Sequence, residues 1–99
     1  MARVQQQQQF RAALATVLRM KLAELAMNPT DLTRKVGLSL NTVRRTLMGE
    51  RSPDVFELRL IADVLGEPYQ VLVERADQYL AALETDASAV RQQIGEELG

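Results

Sequence analysis

The chain contains no cysteine and no histidine. Disulfides, thiol nucleophiles and imidazole bases are thereby excluded, and so are the common zinc ligand sets. Aromatic residues are few, only Phe10, Phe56, Tyr69 and Tyr79, so a core must be built from aliphatic side chains. No glycine-rich phosphate loop and no internal repeat is present. No signal peptide is evident, and no apolar run approaches the ~20 residues of a membrane span. The carboxylates are scattered along helical patterns rather than gathered. These absences predict a soluble cytoplasmic protein that is not an enzyme, with no catalytic residue, no metal, no cofactor and no membrane partner.

What is present is uneven. The formal net charge of the 99 residues is −1. Residues 1–51 hold nine Lys/Arg and three Asp/Glu, a net of +6, whereas residues 52–99 hold three and ten, a net of −7. Such a division suggests a half that meets a polyanion and an acidic half that stays off it. A length of 99 residues suits one domain with a short extension.

The most organised stretch is PTDLTRKVGLSLNTVRRTLMGER, residues 29–51. It reads as two short helices joined by a tight turn. Asn28 is a candidate N-cap, Pro29 suits a first helical position, and Leu32 and Val36 share one face. Gly37 supplies the left-handed conformation that stops this helix near Val36, and Leu38 follows as an apolar plug. Ser39 is a candidate N-cap for the second helix, Leu40 to about Met48, which Gly49 closes. On that helix Val43, Thr46 and Leu47 cluster on one side, and Asn41, Arg44, Arg45 and Met48 on the other, with Leu40 at the border. Outward Asn and Arg on a short helix suit the major groove of DNA, where arginine pairs with guanine and asparagine with adenine. Leu40 can touch a thymine methyl. Arg34, Lys35 and Arg51 flank the unit.

This pattern resembles the helix-turn-helix of the Xre family, the lambda-repressor and Cro-like regulators. The resemblance covers about residues 18–73 and rests on DLTRKVGLSLNTVRRTLMGERSPD followed by ELRLIADVLG. Leu32, Gly37, Leu38 and Val43 stand at the family's buried and turn positions, and Gly49 where its recognition helix ends. The resemblance implies an all-α fold of five helices. It places base contacts on Leu40, Asn41 and Arg45 with Arg44 alongside. Contacts to the DNA backbone are expected from Arg34, Lys35, Ser39, Arg51 and Ser52, and from the start of the fourth helix. Three positions depart from the family: Pro29 replaces a phosphate-contacting Gln, Thr33 replaces the alanine at a tight helix crossing, and Thr46 takes a place that is normally apolar.

Around this unit, residues 1–9 read as a polar N-terminal tail, disordered or the frayed start of a helix, from which Arg3 could reach a phosphate or a minor groove. A first helix is predicted from about Gln6 or Phe10 to Ala26, with Phe10, Leu14, Leu18, Leu22 and Leu25 as its stripe and Arg11, Arg19 and Lys21 on its surface. Ser52 is a candidate N-cap for a fourth helix, with Pro53 and Asp54 in its first turn and Val55, Leu58, Ile61, Ala62 and Leu65 facing the core. Gly66 stops it, and Pro68 opens a fifth helix packed through Val71 and Leu72. The helix-turn-helix domain is thus expected over residues 10–75. Residues 76–99 form a helical extension whose seam, Ala76, Leu80, Leu83, Ala87, Val90 and Ile94, has heptad spacing and predicts a homodimer, the competing reading being that the segment folds back and enlarges its own core. Thr85 and Asp86 mark a place where this helix could break and restart.

The reading that results is a sequence-specific binder of double-stranded DNA, a phage-type or bacterial repressor that sits as a homodimer on an operator. Two alternatives carry other chemistry. One is an antitoxin that grips a protein partner through the C-terminal extension and represses its own operon. The other is an interaction module that has kept the fold and lost DNA binding.

Overall fold

The computed structural model describes the backbone of residues 2–98 and the side chains of residues 5–85. Five helices follow one another: α1 (Ala2–Glu24), α2 (Pro29–Val36), α3 (Leu40–Leu47), α4 (Val55–Leu65) and α5 (Tyr69–Leu98). Among the described residues there is no strand, and no helix is long and apolar enough to cross a membrane. α1 and α5 lie side by side, α3 rests on α1 and α2, and α4 bridges α2 and α5.

The core is aliphatic, as the shortage of aromatics requires. Its largest fully buried side chains, Leu18, Leu32, Val43, Ile61 and Leu72, come one from each helix in chain order. α2 and α3 have eight residues each, too few to be stable in water alone. Their order comes from Leu32, Val36, Val43 and Leu47, all buried in the shared cluster.

Helix ends follow local chemistry. Asn28 caps α2 and closes a capping box with Asp31, and Ser39 caps α3 by accepting from the Thr42 N–H. Gly37 ends α2 at φ 77° with its N–H on the Thr33 carbonyl. Where α3 and α4 end, Gly49 and Gly66 take the left-handed position of paired 6→1 and 5→2 bonds. The end of α1 has the same pair, Met27 N–H to Leu22 O at 2.9 Å and Ala26 N–H to Ala23 O at 3.1 Å, but an alanine holds the left-handed position, at φ 54°.

Several expectations are corrected. α1 begins at Ala2 rather than Gln6 or Phe10, so the polar residues 5–9 are exposed helix; glutamine is a good helix former and needs no core beneath it. Leu25 lies past the end of α1 and is 42% exposed. The N-cap of α4 is Asp54, not Ser52: Asp54 and Glu57 form a reciprocal capping box, which starts the helix two residues later. Val55 consequently falls in the first turn and is 62% exposed rather than buried. α5 runs unbroken past Thr85 and Asp86 to Leu98.

The division at residue 75 also moves. Ala76 is completely buried in the core of its own chain and Leu80 packs partly against that core, so neither begins a free seam. Leu83 is the first seam residue standing open, at 48% exposure. The side chains of Ala87, Val90 and Ile94, like that of Arg3, lie outside the described residues.

Candidate nucleic-acid interface

α3 is fixed through one face and offers the other. Val43, Thr46 and Leu47 are buried, Leu40 is half-buried, and Asn41, Arg44, Arg45 and Met48 are exposed. The exposed four fall within about one third of the helix circumference at 100° per residue. Gly49, which closes the helix, sits against α1: a Cβ there would stand 3.5 Å from the Ala12 Cα, and φ is 74°. α3 is therefore held by its buried face, by the turn from α2 and by contact of its closing turn with α1.

Two further bonds tie down its C-terminal end. From α1, the Arg19 guanidinium donates to the Leu47 carbonyl and, at 3.1 Å, to the Thr16 hydroxyl. The Leu47 carbonyl is one of the acceptors that a helix end leaves unsatisfied. From the following loop, Arg51 donates to the Thr46 hydroxyl at 3.0 Å and to both Glu57 oxygens at 2.9 and 3.2 Å. Thr46 in turn donates to the Thr42 carbonyl at 2.9 Å. The Thr46 hydroxyl is thus buried with both a donor and an acceptor partner. The bond from the Asp54 N–H, and secondarily the Arg51 guanidinium, holds the Glu57 carboxyl below its ordinary pKa. The other unusual hydroxyl, on Thr33, donates back to the Pro29 carbonyl at 2.9 Å within α2.

The cations expected at a DNA backbone divide accordingly. Arg34 and Lys35, in the last turn of α2, are exposed and form no ion pair among the described residues, and the same holds for Arg44. Arg45 lies 3.9 Å from Glu50, an open pair with half the Arg45 side chain in solvent. Arg51 is different. It is engaged inside the chain, and the N-terminus of α4 beside it is already neutralised by Asp54 and Glu57. The expected backbone group of Arg51, Ser52 and the α4 N-terminus is therefore not arranged as an open anion site. Ser39 is exposed but committed to capping α3, accepting from the Thr42 N–H at 3.1 Å.

Sequence reasoning missed the Arg19 and Arg51 bonds. The first joins residues 28 apart and leaves no local pattern. The second could have been suspected from Asp54 and Glu57, whose spacing is that of a capping box and fixes a carboxylate near Arg51.

Lys21 is also engaged internally. It lies 3.0 Å from Glu67 and 3.3 Å from Glu24, and Arg75 lies 2.9 Å from the same Glu67. This cluster joins α1, the α4–α5 loop and α5.

No protein-family model matches the chain, and no curated protein matches it. Its fold is similar to that of the clp gene regulator ClgR from Corynebacterium glutamicum, with a TM-score of 0.76 over 83% of this chain and 87% of that one, at 18% sequence identity. At that identity the likeness is one of fold alone.

Proposed function

We propose that this chain is a sequence-specific double-stranded DNA-binding transcription regulator of the Xre, lambda-repressor-like type, acting as a homodimeric repressor. The observation that carries the reading is the division of α3, whose inner face is locked in the core while Asn41, Arg44 and Arg45 stand together in solvent, with Arg34 and Lys35 exposed in the last turn of the preceding helix. Arg45 reads guanine and Asn41 reads adenine through paired hydrogen bonds, while Arg44 takes a base or a phosphate. Leu40, half-buried, serves mainly as packing. Arg34 and Lys35 hold the backbone and set register. The fold shared with a gene regulator supports this use of the helix. No step of the reading needs catalysis or a cofactor.

One such unit reads too few bases for a unique address, so two copies are paired across half-sites about 34 Å apart or a multiple of it. α5 beyond Leu80, starting with the open Leu83, is the segment left for that pairing. A dimer on its operator blocks polymerase by occupying the promoter, within the cytoplasm. Selection from random double-stranded DNA tests the proposal: enrichment of one motif with two-fold symmetric half-sites is expected, and no enrichment would sink it. Light scattering that finds a monomer at tens of micromolar would remove the stable dimer and leave the rest.

A further inference from the structure

Arg51 reaches in two directions from the loop between α3 and α4. One guanidinium nitrogen donates to the buried Thr46 hydroxyl at 3.0 Å, and the other lies 2.9 and 3.2 Å from the two Glu57 oxygens. Glu57 also accepts from the Asp54 N–H at 2.9 Å, and Thr46 donates to Thr42 in the middle of α3. A continuous chain of bonds therefore runs from the recognition-type helix to the cap of α4. Resting on the DNA-binding reading above, we propose that Arg51 is a positioning residue that clamps the last turn of α3 to the start of α4, and that it governs base discrimination by Arg45 without meeting a phosphate itself.

Three physical arguments support this. A phosphate that recruited Arg51 would have to take it from a paired carboxylate, leaving Glu57, only 14% exposed, without its cation. That phosphate would also approach two carboxylates, Asp54 and Glu57, at the positive end of a helix they already cap. Finally, α3 has barely two turns, and Thr46 directly follows Arg45. Loss of the clamp lets the reading side chain shift, and small misplacements degrade a bidentate contact more than a backbone contact.

The test compares Arg51→Lys with the unaltered protein on the selected site and on random DNA, over a range of salt. Lysine keeps the charge and loses the two-pronged donor. The clamp predicts that the ratio of specific to nonspecific affinity falls about tenfold while the salt slope stays put. If Arg51 is a phosphate contact instead, lysine preserves the ratio, and Arg51→Ala weakens all sequences alike and lowers the slope by about 0.9; that result overturns the proposal. Thr46→Val keeps the shape, removes the hydroxyl and should reproduce the lost discrimination.

Amide hydrogen exchange on the free protein supplies a readout that needs no DNA. Both variants should speed exchange at Leu47 and Met48 by about tenfold and leave Leu18 and Leu72 unchanged, which also certifies the fold. Unchanged exchange at Leu47 and Met48 refutes the clamp. Faster exchange together with a wild-type protein that selects no DNA would support the clamp and count against the DNA reading instead.

Discussion

Two groups of cations on this small domain have opposite fates. Lys21 and Arg75 converge on Glu67, with Glu24 close by, and are neutralised at a junction of three segments. Arg34, Lys35, Arg44 and Arg45 stand on α2 and α3, and among the described residues only Arg45 of these four forms an ion pair, at 3.9 Å from Glu50. Lys21 and the four cations of α2 and α3 all belong to the first half of the chain, whose surplus of +6 counts them alike. The difference shows that a charge surplus measures how many cations exist, while packing decides which of them a polyanion can use. Arg19, Lys21 and Arg51 are spent on holding the helices together, so the usable positive charge is smaller than the surplus, and Arg34, Lys35, Arg44 and Arg45 carry its exposed share on α2 and α3.

The sharpest way to break this contrast is within α3 itself. Leu47→Ala removes a buried side chain and should cost about 2–4 kcal/mol of stability in urea unfolding, with DNA binding lost alongside. Arg45→Ala, on the opposite face, should change stability by less than about 0.5 kcal/mol. It should nevertheless cost about 1–3 kcal/mol of discrimination between the selected site and random DNA. Equal weakening on both DNAs would move Arg45 from base reading to backbone contact.

The next effect separates the two cation groups directly. Lys35→Gln should reduce the magnitude of the log-affinity against log-salt slope by about 0.9, the loss of one phosphate contact. Lys21→Gln removes the same formal charge and should leave that slope unchanged while lowering the melting temperature. Matching slopes for the two variants would erase the distinction between free and spent cations.

The spent group should also reveal itself in pH. Hydrogen bonding to Lys21, aided by the charge of Arg75, holds the Glu67 carboxyl below its ordinary value of 4.5. Its contribution to stability is present above that value and is lost as pH falls through the folded one. Lys21, bonded to Glu67 and then to Glu24, is raised above 10.5, so its contribution is full below 10.5 and is lost as pH climbs past it. The melting temperature should therefore hold level between these limits and fall on both sides. Glu67→Gln should flatten the alkaline limb and weaken the acid limb, leaving the part due to Glu57, whose carboxyl is lowered by the Asp54 N–H and Arg51. An unchanged alkaline limb would show that the Lys21–Glu67 bond is absent in solution.

How much of this was legible in the sequence depended on the range of the interaction. Asn28, Pro29, Gly37, Ser39 and Gly49 act within a few residues, and their spacing marks where α2 and α3 begin and end. The two faces of α3 follow from its period alone. Ser52 and Asp54, by contrast, are both competent caps two residues apart, and only the reciprocal bond with Glu57 decides between them. That choice moved Val55 from the core to the surface. Ala76 and Leu80 were ambiguous for a different reason: an apolar row that packs on its own core and one meant for a second chain have the same spacing, and only the folded core, which takes Ala76 fully and Leu80 in part, tells them apart. Arg19 and Arg51 look like any exposed cations until their distant partners are placed beside them.

The smallest effect concerns a residue that belongs to neither cation group. Ala26 sits at φ 54° at the end of α1, where the matching positions after α3 and α4 are Gly49 and Gly66. A left-handed backbone with a Cβ costs about 1–2 kcal/mol relative to glycine. Glycine returns part of that gain as extra freedom in the unfolded chain. Ala26 is exposed, so nothing packed is lost on replacing it. Ala26→Gly should therefore stabilise the protein by about 0.5–1 kcal/mol, a rise of about 3–6 °C in melting temperature for a domain of this size. Because the substitution leaves every charge in place, the salt slope of DNA binding should not move. This makes Ala26→Gly the control for the larger comparison: Lys21→Gln lowers stability and Ala26→Gly raises it, and if the slope follows either change, phosphate contact is being read through folding rather than through the free cations of α2 and α3.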